Sequence, residues 1–518
     1  MKFLLVVLTS ALSVCHAISI HSRTNGGLIV NTVQGTVSGT FVTPTVRQFL
    51  GIPYASAGRW QPPTSPPKRR SILSATSYSD TCPQNLAPAN LEFLKLAGGQ
   101  GIDIPESESC LTANIWAPSL NRKQKTAVLI WIYGGAFQFG SSNLPIYNGQ
   151  NFVRDNEDIT IVTFNYRLNI FGQPNAPQLV SKTGSQNFGL LDIEAAVQWV
   201  HENIAAFGGD PDRISLFGQS AGSTATDAYA FSHPQDKIVK GIIQQSGNLG
   251  LVTNGLLANP TLDETTWNNL ASSLGCGKTA NSAQLSCMKE IPSRTLENAV
   301  IKTGSNFNLV TDNITIFSDI ASRSAAGNFL KVPVLGGSTL NEGDIFTVAS
   351  QLISPSGVAL PFVTEILSDI QTQTTFTCPA GASAQIRLNA KVPTWRYQYQ
   401  AVFPNISPRP DLRSYHASEI PIVFGTFNTT PSVPSTPTEI LLSHYMQSAW
   451  VAFARNPSEG LVNFGWPLYD PTSPTLVQIG NAANATGMVL TTGSLLDTTC
   501  GNVPELLEFS GQLSANFA

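Results

Sequence analysis

Four stretches of the chain are almost entirely apolar and have the length of short strands. They are residues 127–133, 159–164, 214–217 and 241–243. A strand without the usual polar alternation is covered on both faces, which is typical of a parallel sheet. We therefore expect these four stretches to lie side by side in the interior of one sheet.

Between the second and third of these stretches, the apolar residues repeat with the period of a helix. They recur at spacings of 3, 4, 3, 4 and 3, at Leu190, Ile193, Val197, Val200, Ile204 and Phe207. This spacing predicts an amphipathic helix, and the Gly-Gly-Asp-Pro sequence of residues 208–211 ends it. Strand, helix and strand in alternation predict an α/β fold, a mostly parallel central sheet flanked by helices.

The remaining pattern extends this sheet and adds an inserted segment. Alternating residues 28–46 predict an antiparallel hairpin, and residues 249–326 predict a mostly helical cap or lid. The sheet resumes at residues 332–337, and residues 395–399 are predicted to be its last main strand. A closing helix is expected over residues 440–455.

The first 17 residues are typical of an export leader. Lys2 supplies the positive charge, residues 3–8 the apolar core, and residues 15–17 a small-residue cleavage site. The apolar run is far shorter than the ~20 residues that a membrane span requires. We therefore expect a signal peptide over 1–17 and a single domain over 18–518, secreted to the extracellular side without a transmembrane anchor.

The composition excludes several classes of function. Only 12% of the 518 residues are charged, the net charge is −4, and there is no basic run, so nucleic acid is not an expected partner. There is neither a CxxC motif nor a His/Cys cluster with zinc spacing, so no metal and no cofactor are predicted. The chain is expected to be a soluble globular protein and a monomer.

Cysteines and sequons also suit an exported protein. Once Cys15 leaves with the leader, six cysteines remain, at Cys82, Cys110, Cys276, Cys287, Cys378 and Cys500. An even number is typical of an oxidising compartment, but six cysteines allow 15 pairings, and spacing does not choose among them. Four sequons predict glycosylation at Asn313, Asn405, Asn428 and Asn484.

A nucleophile motif follows the third predicted strand. Residues 218–222 read Gly-Gln-Ser-Ala-Gly and fit the G-x-S-x-G elbow, a sharp strand-to-helix turn that exposes a serine hydroxyl. A side chain at Gly218 or Gly222 would crowd that turn. The motif predicts Ser220 as a nucleophile and the Ala221 backbone N–H as a donor to negative charge forming beside it.

A serine hydroxyl needs a base, and the base needs an acid to hold it. Of the six histidines, only His416 and His444 follow a plausible acid in the last third of the chain. His444 is predicted to lie within the closing helix, whereas His416 lies in a loop beyond the strand 395–399, so His416 is the expected base. Glu342 follows the strand that resumes at 332, and by position alone Asp344 remains an alternative acid.

Two further stretches bear on the site. The glycine pair Gly134-Gly135 follows a buried strand, and it lets the backbone approach the reacting carbonyl closely, so that its N–H groups are expected to stabilise the oxyanion. The segment between Cys82 and Cys110 carries scattered apolar residues and admits two interpretations, a flap over the active site and a buried connecting loop.

These motifs together resemble the type-B carboxylesterase/lipase family, which includes the cholinesterases and fungal extracellular lipases. The resemblance rests on the elbow at 218–222 and on six other stretches: residues 49–54, 108–112, 165–167, 187–192, 203–211 and 450–454. It covers nearly the whole mature chain.

The resemblance implies an α/β-hydrolase fold with inserted cap segments. It implies Ser220 as nucleophile, His416 as general base and acid, and Glu342 rather than Asp344 as the orienting carboxylate. It also implies oxyanion donors at Gly135, Ala136 and Ala221. Finally, it implies the disulfides Cys82–Cys110 and Cys276–Cys287, with Cys378–Cys500 following by remainder.

The chain departs from the family pattern in four places. Ala136 stands where the family usually has a third glycine, and Gln219 where it usually has glutamate. Ser109 replaces the usual aspartate before the second cysteine, and the stretch after Tyr54 lacks the usual proline-glycine insert. All three triad residues are retained.

The expected function is therefore hydrolysis of small-molecule or lipid carboxylic esters through an acyl-enzyme. A carboxylesterase is favoured over a true lipase. The alternative from another class is a non-catalytic adhesion or binding protein on the same scaffold, and the intact triad argues against it.

Overall fold

A computed structural model describes residues 26–98, 105–122, 125–179, 184–253, 257–259, 264–353, 361–429 and 433–517. The predicted leader, residues 1–17, lies outside these ranges. Within them, no helix is long and apolar enough to cross a membrane.

An 11-stranded sheet forms the centre of the molecule, with the order β16-β15-β14-β13-β10-β9-β7-β8-β6-β4-β3. The strands of the chain are β1 (Ile29–Thr32), β2 (Gly35–Ser38), β3 (Thr40–Thr43), β4 (Val46–Pro53), β5 (Leu73–Ser74), β6 (Thr112–Pro118), β7 (Thr126–Ile132), β8 (Ile159–Phe164), β9 (Gly209–Gln219), β10 (Val239–Gln245), β11 (Ala258–Asn259), β12 (Leu309–Val310), β13 (Val334–Thr339), β14 (Thr394–Tyr399), β15 (Pro474–Asn481) and β16 (Asn484–Thr492). Strands β1, β2 and β5 form a small separate sheet, and β11 pairs with β12.

Helices fill the connections between the strands. They are α1 (Pro88–Leu96), α2 (Gln150–Asp155), α3 (Asn169–Gly172), α4 (Phe188–Asn203), α5 (Ala221–Ser232), α6 (Gly250–Thr253), α7 (Glu264–Ser273), α8 (Ser282–Glu290), α9 (Ser293–Thr303), α10 (Ile320–Ala326), α11 (Asp344–Ile353), α12 (Pro361–Gln371), α13 (Cys378–Asn389), α14 (Ile420–Phe424), α15 (Pro437–Arg455), α16 (Gly460–Phe464), α17 (Gly493–Leu496) and α18 (Val503–Phe517).

The seven central strands, from β8 to β15, pair in parallel. Every residue of β7 and β8 is buried, as the continuous apolar runs predicted. The periodic segment forms α4 and continues as a short 3₁₀ turn, which ends at Gly208 with φ 94°. The prediction of an α/β fold with a mostly parallel sheet is confirmed, and residues 249–326 contribute the helices α6 to α10 as an insertion between β10 and β13.

One prediction about the sheet was wrong. Strand β14 is not the last main strand, because β15 adds in parallel to β14 and β16 adds antiparallel to β15, both after the closing helix α15. Both strands mix buried with partly or fully exposed positions, and five of the nine residues of β16, the edge strand, are polar or glycine. Their sequences therefore lack the continuous apolar run that marks the central strands.

Three disulfides cross-link the described chain: Cys82–Cys110, Cys276–Cys287 and Cys378–Cys500. They are the three pairings that the resemblance implied.

The four predicted glycosylation sites differ in exposure. Asn313, Asn428 and Asn484 are exposed. Asn405 is only 6% exposed, and its Nδ2 donates to Phe427 O at 3.0 Å and to Glu439 Oε1 at 2.9 Å. A glycan takes the place of one Nδ2 hydrogen, so it would break at least one of these hydrogen bonds and would need space around a buried side chain; the structure therefore disfavours the prediction at that position.

Candidate active site

Ser220 lies at the carboxyl end of β9, on the turn into α5. Its backbone has φ 57° and ψ −124°, a conformation that non-glycine residues rarely adopt. The flanking glycines are needed because the backbone is crowded there: a Cβ on Gly218 would lie 2.5 Å from Gly222 O, and one on Gly222 would lie 2.0 Å from Ile132 O. The sequence therefore forms the strained elbow that the motif predicted.

His416 and Glu342 meet at the same edge of the sheet. His416 follows β14 and Glu342 follows β13, and these strands are parallel neighbours, so their carboxyl ends coincide. His416 Nδ1 lies 2.5 Å from Glu342 Oε2, and both side chains are fully buried. Glu342 Oε1 accepts a second hydrogen bond, from Thr339 N at 2.6 Å, which fixes the carboxylate.

The alternative acid, Asp344, points elsewhere. Its carboxylate accepts hydrogen bonds from Arg413 Nη2 at 2.7 Å and from Ser368 Oγ at 2.5 Å. The structure therefore brings Glu342, and not Asp344, to His416. The other late histidine, His444, is exposed within α15.

The remaining ring nitrogen of His416 faces Gln219, the residue before the nucleophile. Gln219 Nε2 lies 2.9 Å from His416 Nε2. The imidazole also packs against Phe376, with ring centres 4.6 Å apart, and against Phe346 at 5.1 Å. The sequence analysis missed these contacts, because the residues involved are far apart along the chain.

The turn that carries the predicted oxyanion residues passes close to Ser220 at Gly134. Gly135 and Ala136 have φ of 104° and 54°, and a Cβ on Gly134 would lie 2.9 Å from Ser220 Cβ. Within the described chain, the hydrogen bonds include none donated by the backbone N–H groups of Gly135, Ala136 or Ala221. These donors are therefore available to a negatively charged oxygen next to Ser220.

Helix α1, in the segment between Cys82 and Cys110, covers this site. Phe93 on α1 packs against Phe139 and Phe346, with ring centres 5.7 and 5.4 Å apart. The cavity beneath it is about 20 Å³, and Gly135, Gln219 and Ala417 form part of its wall. That is room for about one water molecule. The position of α1 over the site agrees with a flap rather than with a buried connecting loop.

Among the described residues, no group of three or more His, Cys, Asp or Glu side chains is arranged to hold a metal ion.

A second buried carboxyl, on Glu419, lies next to the Glu342–His416 pair. Glu419 is fully buried, and Gln245 Nε2 donates to its Oε1 at 3.0 Å. Burial, followed by the nearby charge of Glu342, raises the pKa of Glu419 to about 8. It is therefore neutral at pH 7. The sequence offered one hint, a carboxyl three residues after His416 on the same loop.

This shift predicts a pH dependence of stability. Because the pKa of Glu419 is higher in the folded protein than in the unfolded chain, its contribution to stability is fully present below pH ~4.5 and is lost as pH rises to about 8. The expected slope is about −1.4 kcal/mol per pH unit within that window. Urea unfolding of Glu419→Gln between pH 5 and 8 should lack this component of the decline.

The control for this experiment is Glu202→Gln, an exposed carboxyl on α4. This variant should follow the wild-type pH dependence. If Glu419→Gln also follows it, the buried carboxyl is not the group that titrates.

An elbow serine beside a histidine–carboxylate pair, at the carboxyl edge of a mostly parallel sheet, is the arrangement of the α/β-hydrolase class. Residues 27–357 and 359–494 match the Carboxylesterase family, and the chain belongs to that family. It is a carboxylic ester hydrolase, and the resemblance drawn from its motifs is confirmed.

Individual relatives agree with this assignment. The chain is 34% identical to Secreted lipase 5 of Gibberella zeae, with 93% of this chain and 96% of that protein covered. It is 33% identical to a chlorogenic acid esterase of Aspergillus niger, over 92% and 95%. A solved structure of a PNB esterase superposes with a TM-score of 0.73 at 27% identity, over 93% of this chain and 99% of that one.

Proposed function

We propose that this protein is a secreted serine esterase and that Ser220, His416 and Glu342 are its catalytic triad. The observation that carries the proposal is the hydrogen bond of His416 Nδ1 to the buried Glu342, on the same sheet edge as the elbow serine. An intact triad argues against the alternative of a non-catalytic binding protein on this scaffold.

In the proposed reaction, Ser220 Oγ attacks the ester carbonyl as His416 Nε2 takes its proton. Glu342 holds the ring and stabilises the imidazolium that forms. The N–H groups of Gly135, Ala136 and Ala221 donate to the oxyanion of the tetrahedral intermediate. His416 then gives its proton to the departing alcohol, and water repeats the sequence to release the acid.

Export of the protein is supported by its first residues, its disulfides and its sequons. The leader-like residues 1–17 precede the domain, and three disulfides cross-link it. Disulfides persist in oxidising compartments. Exposed sequons at Asn313, Asn428 and Asn484 suit a glycoprotein.

The outer face of α1 favours a carboxylesterase over a lipase. A helix that opens at a lipid surface presents apolar residues, as interfacial helices do. On α1, Lys95 Nζ instead pairs with Glu92 Oε1 at 2.6 Å. The name of the Gibberella zeae relative makes the lipase the second candidate.

Chain-length preference distinguishes the two candidates. For 4-nitrophenyl esters of increasing acyl length, we expect kcat/KM to be greatest for short, soluble acyl groups and to fall for long ones. Activity on an emulsified long-chain triglyceride should be low, and it should not increase when the substrate concentration exceeds the solubility limit. A sharp rise in rate when the emulsion forms would establish the lipase instead.

A further inference from the structure

Gln219 occupies the position at His416 that the hydroxyl of a serine nucleophile requires. Because the Glu342 carboxylate can only accept a hydrogen bond, His416 Nδ1 carries the proton and Nε2 has the free lone pair. Gln219 Nε2 lies 2.9 Å from that lone-pair nitrogen, and an amide nitrogen can only donate. The hydrogen bonds of the described chain include none between Ser220 Oγ and His416. In this structure the base is therefore occupied by Gln219.

We propose that Gln219 is a positioning residue that competes with Ser220 for His416 Nε2, so that at saturating substrate the enzyme turns over faster those esters whose alcohol portion displaces the glutamine amide on binding. This inference rests on the proposed serine mechanism. It names a determinant of alcohol specificity within the same site.

The His416 ring does not need Gln219 to hold it. Glu342 fixes Nδ1, and Phe376 and Phe346 pack on the ring with centres 4.6 and 5.1 Å away. Loss of the Gln219 contact should therefore release Nε2 to Ser220 without disordering the imidazole.

The alcohol portion of the substrate is the group that meets Gln219. The departing alcohol takes its proton from His416 Nε2, so its oxygen must come within hydrogen-bond reach of the nitrogen that Gln219 now contacts. Gln219 also lines the small cavity under α1, together with Phe93, Tyr147 and Ile420. A bulky alcohol portion that extends over Gln219 displaces the amide as the ester binds, whereas with a methyl ester the amide leaves only when His416 takes the serine proton.

The amide is essential to this competition. An ionised glutamate, the usual family residue at this position, accepts hydrogen bonds but has none to donate to a neutral imidazole. Competition for the lone pair thus arises from the glutamine of this chain.

Two substitutions test the proposal on methyl butyrate and benzyl butyrate. Gln219→Met keeps the length and removes the donor, and Gln219→Asn keeps the amide but is too short to reach His416. In both variants, kcat for the methyl ester should rise about fivefold, the factor that corresponds to one ordinary neutral hydrogen bond, with KM unchanged. Because the benzyl ester displaces the amide on binding, its kcat should change by less than about twofold, and its KM should fall instead.

Gln244→Met is the matched control. Gln244 lies on β10 opposite Gly218, is equally buried, and contacts Ser383 instead of His416. In this variant the ratio of kcat for the methyl ester to kcat for the benzyl ester should be that of the wild type. Circular dichroism establishes that each variant is folded, and if Gln219→Met is not, Gln219→Asn decides the test.

Two results would overturn the proposal. An equal fall in kcat for both esters would show that Gln219 helps to hold His416. An unchanged ratio of the two kcat values in the Gln219 variants would show that Gln219 does not compete with Ser220 for His416 Nε2. The proposed function is tested separately, because Ser220→Ala should be inactive on both esters. If Ser220→Ala remained active, the serine mechanism itself would fail, whatever the Gln219 variants did.

Discussion

Replacing Ser220 by alanine should lower kcat by about 10⁵-fold or more and leave the protein folded. His416→Ala should cost about as much, because the serine hydroxyl is a poor nucleophile without the base. The double variant should be only slightly worse than either single one, because residues that act as one unit are not additive. Steady-state hydrolysis of a short 4-nitrophenyl ester, with circular dichroism as a check on folding, measures all three.

The choice of acid is tested by a matched pair of substitutions. Glu342→Gln removes the carboxylate that His416 Nδ1 contacts and should lower kcat by about 10³-fold or more. Asp344→Asn alters a carboxylate bound to Arg413 and Ser368, so it should affect stability more than kcat. A larger loss of kcat in Asp344→Asn, or an additive Ser220–His416 double variant, would contradict the triad.

The largest loss of stability is expected from Asp192→Asn, at about 3–5 kcal/mol in the free energy of unfolding. Asp192 is fully buried and accepts from Arg167 Nε at 2.8 Å and Nη2 at 2.7 Å. An asparagine would leave the guanidinium charge of Arg167 buried without a counter-charge. Urea unfolding of the oxidised protein at pH 7 measures the change.

Asp411→Asn provides the control for this prediction. Asp411 pairs with Arg409 at 2.7 Å, but both side chains are about two-fifths exposed. Solvent screens such a pair, and its loss should cost about 1 kcal/mol or less. Equal effects of the two substitutions would show that the Arg167–Asp192 pair is not a buried structural element.

The buried Arg167–Asp192 pair also explains two of the motifs behind the family resemblance. Arg167 ends the stretch after β8, and Asp192 lies on α4. Both residues are distant from the proposed triad along the chain. Arg167 also donates to Gln61 O at 2.8 Å, which ties a further loop to the pair. These motif residues support the scaffold, whereas Ser220, His416 and Glu342 form the proposed site.

Much of the central fold could be predicted from the sequence because its determinants are local. A strand buried on both faces requires a continuous apolar run, as in β7 and β8, and a helix on the sheet requires the 3–4 spacing found in α4. Strands β15 and β16 were missed because they mix exposed with buried positions and so carry no such run.

The sequence by itself determined the sheet-and-helix alternation, the elbow at Ser220 and the chain order of the proposed nucleophile, acid and base, because each depends on residues adjacent in the chain or on strand order. By position along the chain either Glu342 or Asp344 could be the acid; the tertiary structure places Glu342 against His416, as the family resemblance implied, while Arg413 holds Asp344 away. The tertiary structure also placed Gln219 on His416, 197 residues apart, and α1 over the site. Such contacts depend on where parallel strands end and on how their loops pack, and neighbouring residues do not specify that.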